Sequence, residues 1–172
     1  TRRQMRAGRL LHRATSIAVF GTDGRLLIHR RSTTKDIWPG RWDLAAGGVV
    51  SSGESTLESA RRELFEELGV PEGAVHLVEL GHQRYTDDAT DVFTTCFQCV
   101  YDGPFEFVDG EVAEVRWVTR PELDVLLAAE PFVGVVIDDP RHPKASTLRP
   151  DRLCPGVEAR NGLSQLLHQR QR

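Results

Sequence analysis

Between residues 48 and 70 nine positions stand at a set spacing: Gly48, Glu54, Arg62, Glu63, Leu64, Glu66, Glu67, Gly69 and Val70. Five residues separate Gly48 from Glu54 and seven separate Glu54 from Arg62, after which the chain reads Arg62-Glu63-Leu64-Phe65-Glu66-Glu67-Leu68-Gly69-Val70. Ser55 or Thr56 is placed to cap the start of a helix that runs through Leu68, and Gly69 sits where a left-handed C-terminal cap is wanted. At about 100° per residue, Leu57, Ala60, Leu64 and Leu68 form an apolar stripe, while Glu63, Glu66 and Glu67 share a face about 110° around. The spacing predicts a loop and then a helix with one core face and one acid face.

Carboxylates three and four residues apart are neighbours on a helix, and each like-charged pair costs about 0.2–0.5 kcal/mol when nothing offsets it. A divalent cation offsets it. Mg²⁺ accepts a few carboxylate oxygens and completes its shell with water and phosphate oxygens, with Mn²⁺ as the alternative. Arg62 lies four residues before Glu66 and can orient it, Glu54 reads as a local charge partner, and Gly48 has no side chain to keep its carbonyl from a metal. The whole pattern resembles the signature of the Nudix family, complete at every fixed position. That resemblance implies an α/β/α sandwich around a mixed sheet and hydrolysis of a nucleoside diphosphate linked to another group. It also implies divalent metal held by Glu63, Glu66, Glu67 and the Gly48 carbonyl.

At 172 residues, 40% hydrophobic and 27% charged, the chain suits one well-buried domain. Residues 12–172 are expected to form it, behind a basic, flexible arm over residues 1–11 that holds Arg2, Arg3, Arg6 and Arg9. A net charge of −3 gives no general drive toward nucleic acid or an anionic membrane. No apolar run nears the roughly 20 residues of a membrane span, and no hydrophobic segment follows the basic start as in a signal peptide. A cytoplasmic location is expected. The odd cysteine count of Cys96, Cys99 and Cys154 agrees, and Cys96 and Cys99 fall three apart on an apparent strand, facing opposite ways.

Thr15 to Phe20 and Arg25 to Arg31 flank Gly21-Thr22-Asp23-Gly24, a hairpin signal. Ser32 to Asp43 reads as a loop around Trp38-Pro39-Gly40, and Ala45 to Val50 as a short strand leading into the acidic helix. Further strands are expected over His76 to Tyr85, Asp91 to Tyr101 and Glu114 to Val118, and a helix from Arg120-Pro121 through Ala129. Residues 132–155 are broken by prolines and read as irregular, before a final helix over 157–169.

His12-Arg13-Ala14 and the stretch Arg25 to Trp42 resemble a second pattern, that of the type I isopentenyl diphosphate isomerases, which share the Nudix fold. The isomerases need a cysteine and a histidine in a Cys-Gly-His context, where this chain has Gly47-Gly48-Val49. Glycine cannot protonate a double bond, and valine cannot ligate a metal. What survives is a basic loop whose Arg30, Arg31 and Lys35 suit a diphosphate.

Arg62, Glu63, Glu66 and Glu111 are the expected catalytic residues, Glu111 being chosen over Asp109 and Glu114 as an added ligand or base. Trp38, Trp42, Tyr85 and Phe93 are candidate stacking partners for a base. A nucleoside di- or triphosphate is the first expected substrate. A regulatory nucleotide-binding module and an isomerase are the alternatives, and a homodimer is left open.

Overall fold

The computed structural model describes residues 2–86, 88, 90–107 and 109–133. In chain order its elements are α1 (Arg2–Ala7), β1 (His12–Phe20), β2 (Leu26–Arg31), β3 (Trp42–Asp43), α2 (Thr56–Leu68), β4 (Val78–Thr86), β5 (Asp91–Val100), β6 (Val112–Val118) and α3 (Arg120–Ala129). The runs on either side of Gly21-Thr22-Asp23-Gly24 make the antiparallel pair β1–β2. Pro121 lies in the first turn of α3, where a missing backbone N–H costs nothing. β1 also runs parallel to β5 along its length, giving a mixed sheet of order β3-β2-β1-β5-β4 with β6 antiparallel on β2.

Alternation along β1 divides the core in two. Ile17 and Val19 pack with Ala60, Leu64 and Leu68 of α2, together with Phe97 and Cys99. Ala18 and Phe20 face the other way, onto Leu26, Ile28, Trp42, Val118 and Leu123 of α3. Helices therefore cover both faces of a mixed sheet, the expected α/β/α sandwich. Cys99 belongs to the α2 side, and Cys96 points away from it. Burial pushes their thiols up to about 12 and about 11, which leaves both as inert core groups.

The expected strand over Ala45 to Val50 is corrected, and the reason builds the site. β6 takes one edge of β2, while β1 pairs with the other edge only at Val19↔Leu27 and Phe20↔Leu26, beside the turn. The two strands then part. Trp42 and Asp43 continue the pairing along β2, and the next residues bond along β1, with Ile17 N–H donating to the Ala46 carbonyl at 2.7 Å and Thr15 N–H to the Gly48 carbonyl at 2.9 Å. Gly47 interrupts this ladder because its own N–H turns to the Glu67 carboxylate, so the segment holds two isolated bridges.

Two further expectations meet a different arrangement. Leu57, counted in the apolar stripe of α2, is 37% exposed, while Ser59, Glu63 and Glu67 are buried beside Ala60, Leu64 and Leu68. The Gly47 N–H for Glu67 and the Arg62 guanidinium for Glu63 let acids sit where the stripe predicted hydrocarbon. The start of the chain, expected as a flexible arm, holds α1, with Arg6 bonded to Asp36 and Arg9 donating to Thr86 Oγ1 at 3.0 Å. The irregular stretch from 132 enters the described residues only through Phe132 and Val133, which pair with Trp42. The expected helix over 157–169 lies outside them. Among the described residues no helix is long and apolar enough to cross a membrane.

Candidate active site

Ser55 caps α2 reciprocally: Glu58 N–H donates to Ser55 Oγ at 3.2 Å and Ser55 N–H to Glu58 Oε2 at 2.8 Å. Gly69 closes the helix at φ 68°, left-handed as expected. Between these ends Arg62 ties loop to helix. Its Nε and Nη2 donate to Glu54 at 2.9 and 3.1 Å, and its Nη1 donates to Glu63 at 2.7 Å and Glu66 at 2.9 Å.

Glu54 thus acts as the charge partner its spacing suggested, and it also accepts the Ser51 N–H at 2.8 Å. The Arg62 hydrogen bonds hold its carboxyl down at about 2. Replacing Glu54 with alanine is expected to cost about 1–2 kcal/mol of stability at neutral pH, the worth of charge-assisted bonds near a surface. Because the folded carboxyl titrates below the unfolded one, that contribution is present above about pH 4.5 and lost as pH falls toward about 2. Urea melts of both proteins from pH 7 to pH 3 check it, since the gap between them should narrow below about pH 4.5.

Glu63 and Glu67 are buried on the face of α2 that meets the Gly47-Gly48 backbone. A Cβ on Gly48 would stand 2.4 Å from Glu63 Oε1, so only glycine admits that carboxylate here. Glu67 Oε2 accepts the Gly47 N–H at 3.0 Å, and its Oε1 lies 3.8 Å from Lys35 Nζ. Burial pushes the Glu67 carboxyl up to about 8, against the pull of the Gly47 hydrogen bond and Lys35. Glu66 is 44% exposed at its side chain.

A cavity of about 1060 Å³ opens over this floor, lined by Gly47, Gly48 and Glu63 below and by Arg31, Lys35 and Glu111 on one wall. Lys35 contacts Glu111. Burial lowers the Lys35 ammonium from its ordinary value, with Glu67 opposing that shift. Asp43 and Asp109 also line the cavity, Asp43 lying 3.7 Å from Arg31, and burial raises the Asp109 carboxyl. Arg30 does not join Arg31 and Lys35. It does not line the cavity and donates to the Gly40 carbonyl at 3.0 Å instead.

Of the four candidate stacking residues, Trp38 and Tyr85 meet edge to face on the cavity wall, ring centres 6.2 Å apart. Trp42 is in the core beneath Arg116, and Phe93 stacks on His82. Asp43 was missed in the sequence, where nothing marks it. Its place depends on β3 pairing with β2, a non-local contact.

Among the described residues no three His, Cys, Asp or Glu side chains are gathered to hold a metal ion. The acids are divided between two side-chain cations, Arg62 for Glu63 and Glu66 and Lys35 for Glu67. The donor set still suits a hard divalent ion: carboxylate oxygens on one helix, beside a bare glycine backbone. Next to Gly48, the Thr15 hydroxyl is the one buried side-chain polar atom among the described residues without a hydrogen-bond partner.

Residues 10–139 match the family model described as the NUDIX domain. The chain belongs to the Nudix family. It is 47% identical over 123 residues to the Nudix hydrolase YfcD of Salmonella typhi, a match covering 72% of this chain and 66% of that protein, so it spans just under two thirds of that relative. PA4841 of Pseudomonas aeruginosa, also named a Nudix hydrolase, is 38% identical over 71% of this chain and 70% of its own length. Among solved structures, DR0079 from Deinococcus radiodurans superposes with a TM-score of 0.61 at 27% identity, covering 70% of this chain and 75% of that one. The MutT protein of Methanosarcina mazei Go1 has a TM-score of 0.60 at 24% identity, over 72% of this chain and 85% of its own, and shares the Nudix fold.

Proposed function

We propose that this chain hydrolyses a phosphoanhydride bond in nucleoside diphosphate derivatives, nucleoside di- and triphosphates first among them, and that it requires Mg²⁺ or Mn²⁺. The observation that carries the reading is the buried pair Glu63 and Glu67 set against the side-chain-free Gly47-Gly48 backbone, where Glu63 and both glycines line a cavity with cationic side chains on its wall. Glu63, Glu66, Glu67 and the Gly48 carbonyl would hold the cation. A divalent ion bound there supplies charge neutralisation to the diphosphate and lowers the pKa of water.

The chain's own residues do the rest. Arg62 orients Glu63 and Glu66 through its shared Nη1. Arg31 and Lys35 bind phosphate oxygens by charge-assisted hydrogen bonds, without Arg30. A water oxygen attacks one phosphorus, the bridging oxygen leaves with the other, and Glu111 on the cavity wall takes the water's proton. Trp38 and Tyr85 offer aromatic surface to a base.

We also assign the chain to the hydrolase subgroup that resembles the type I isopentenyl diphosphate isomerases in residues 12–42. Packing supports hydrolysis over isomerisation within it. At Gly47, the position of the isomerase cysteine, a Cβ would lie 2.1 Å from the Thr15 carbonyl oxygen, so this backbone excludes a cysteine side chain.

A phosphate-release screen over nucleotides, nucleotide sugars, dinucleoside polyphosphates and isopentenyl diphosphate, with and without Mg²⁺ or Mn²⁺, tests the proposal. Turnover of at least one nucleotide that stops in chelator is expected. A folded protein inert toward every phosphoanhydride with either metal overturns it, and metal-independent binding without release points to a regulatory module.

A further inference from the structure

Glu67 has one oxygen committed and one available. Oε2 accepts the Gly47 N–H, while Oε1 faces Lys35 Nζ at 3.8 Å. The same ammonium contacts Glu111, and its side chain is only 16% exposed although it lines the cavity. Lys35 sits in the loop between β2 and β3, which also carries Trp38. A cation approaching Glu67 Oε1 from the cavity meets this ammonium first. Like charges a few ångströms apart in a poorly solvated site repel strongly, so the two do not share that oxygen.

We propose that Lys35 is a displaceable counterion: it neutralises Glu67 and Glu111 in the metal-free chain and leaves when a divalent ion binds. Its departure frees Glu111 and delivers the ammonium, with the loop around Trp38, to the substrate phosphates. This inference rests on the reading of Glu67 as a metal ligand, and it makes Lys35 a positioning residue as well as a phosphate contact. Metal affinity and loop position are then coupled. Removing the competing charge should tighten metal binding even as it weakens substrate binding.

Lys35 and Lys144 are the only lysines of the chain, so amine acetylation followed by mass spectrometry reads each one separately. In the wild-type chain, Mg²⁺ should raise the acetylation rate of Lys35 severalfold relative to that of Lys144, and an unchanged or slower rate overturns displacement. Electron paramagnetic resonance titration of free Mn²⁺ gives the second readout without any substrate. Lys35→Met should tighten Mn²⁺ binding by about tenfold, a coupling of ordinary size, and Lys35→Arg should restore the weaker wild-type affinity. Unchanged or weakened Mn²⁺ binding in Lys35→Met overturns the inference. Glu67→Gln in the same titration separates the two levels: if it leaves Mn²⁺ affinity intact, the ligand reading itself falls, whereas loss of binding there with no tightening in Lys35→Met removes only the role given to Lys35.

Discussion

Glu67→Gln is expected to remove most of the proposed metal-dependent turnover while the protein keeps its fold. Metal-borne stabilisation of a phosphoryl transition state amounts to several kcal/mol, so kcat should fall by at least about a hundredfold. The fold survives because the amide keeps the shape of the carboxylate and an oxygen for the Gly47 N–H at the place Oε2 now holds. Phosphate release at saturating Mg²⁺, with thermal melts in chelator, checks both halves. Ordinary turnover in this variant would remove Glu67 from the ligand set.

Gly47→Ala should have the largest effect on stability. The added Cβ would lie 2.1 Å from the Thr15 carbonyl oxygen, 2.9 Å from the Thr15 carbonyl carbon and 3.1 Å from Ser16 Cα. All three are backbone atoms of β1, a central strand, and cannot swing aside. Either β1 shifts or the Ala46 and Gly48 hydrogen bonds to it open, at a cost of about 3 kcal/mol, which lowers the melting temperature by roughly 6–12 °C. Gly48→Ala makes the contrast, since its Cβ meets the Glu63 carboxylate, a side chain that can rotate. That variant should melt closer to wild type yet lose activity. Equal melting of the two variants would refute this division.

Much of the acidic helix was legible because its determinants are local. Ser55, Gly69 and the Arg62–Glu66 pair are all read within a turn or two of the chain, and each makes the contact its spacing implied. The hairpin at Gly21 to Gly24 is equally local. Burial of Glu63 and Glu67 was not legible from helical periodicity, which assigned the core face to hydrocarbon. Glu63 is held by its neighbour Arg62, whereas the polar partners of Glu67 arrive from Gly47 and Lys35, 20 and 32 residues away. The separation of Arg30 from Arg31 was not legible either, because the pairing of β2 with β6 shifts register between these two residues.

By itself the sequence determined that a capped helix would carry three acids behind a glycine, and that this belongs to a Nudix framework. The capped helix follows from hydrogen bonds and sterics between residues close in the chain, the framework from the resemblance of the residue pattern to that family. Only the tertiary structure decided that β1 and β2 part after two residue pairs, admitting the Gly47-Gly48 backbone between them and the buried acids. It alone set Lys35 and Glu111 over Glu67, because charges distant in sequence act on one another only when packing brings them together.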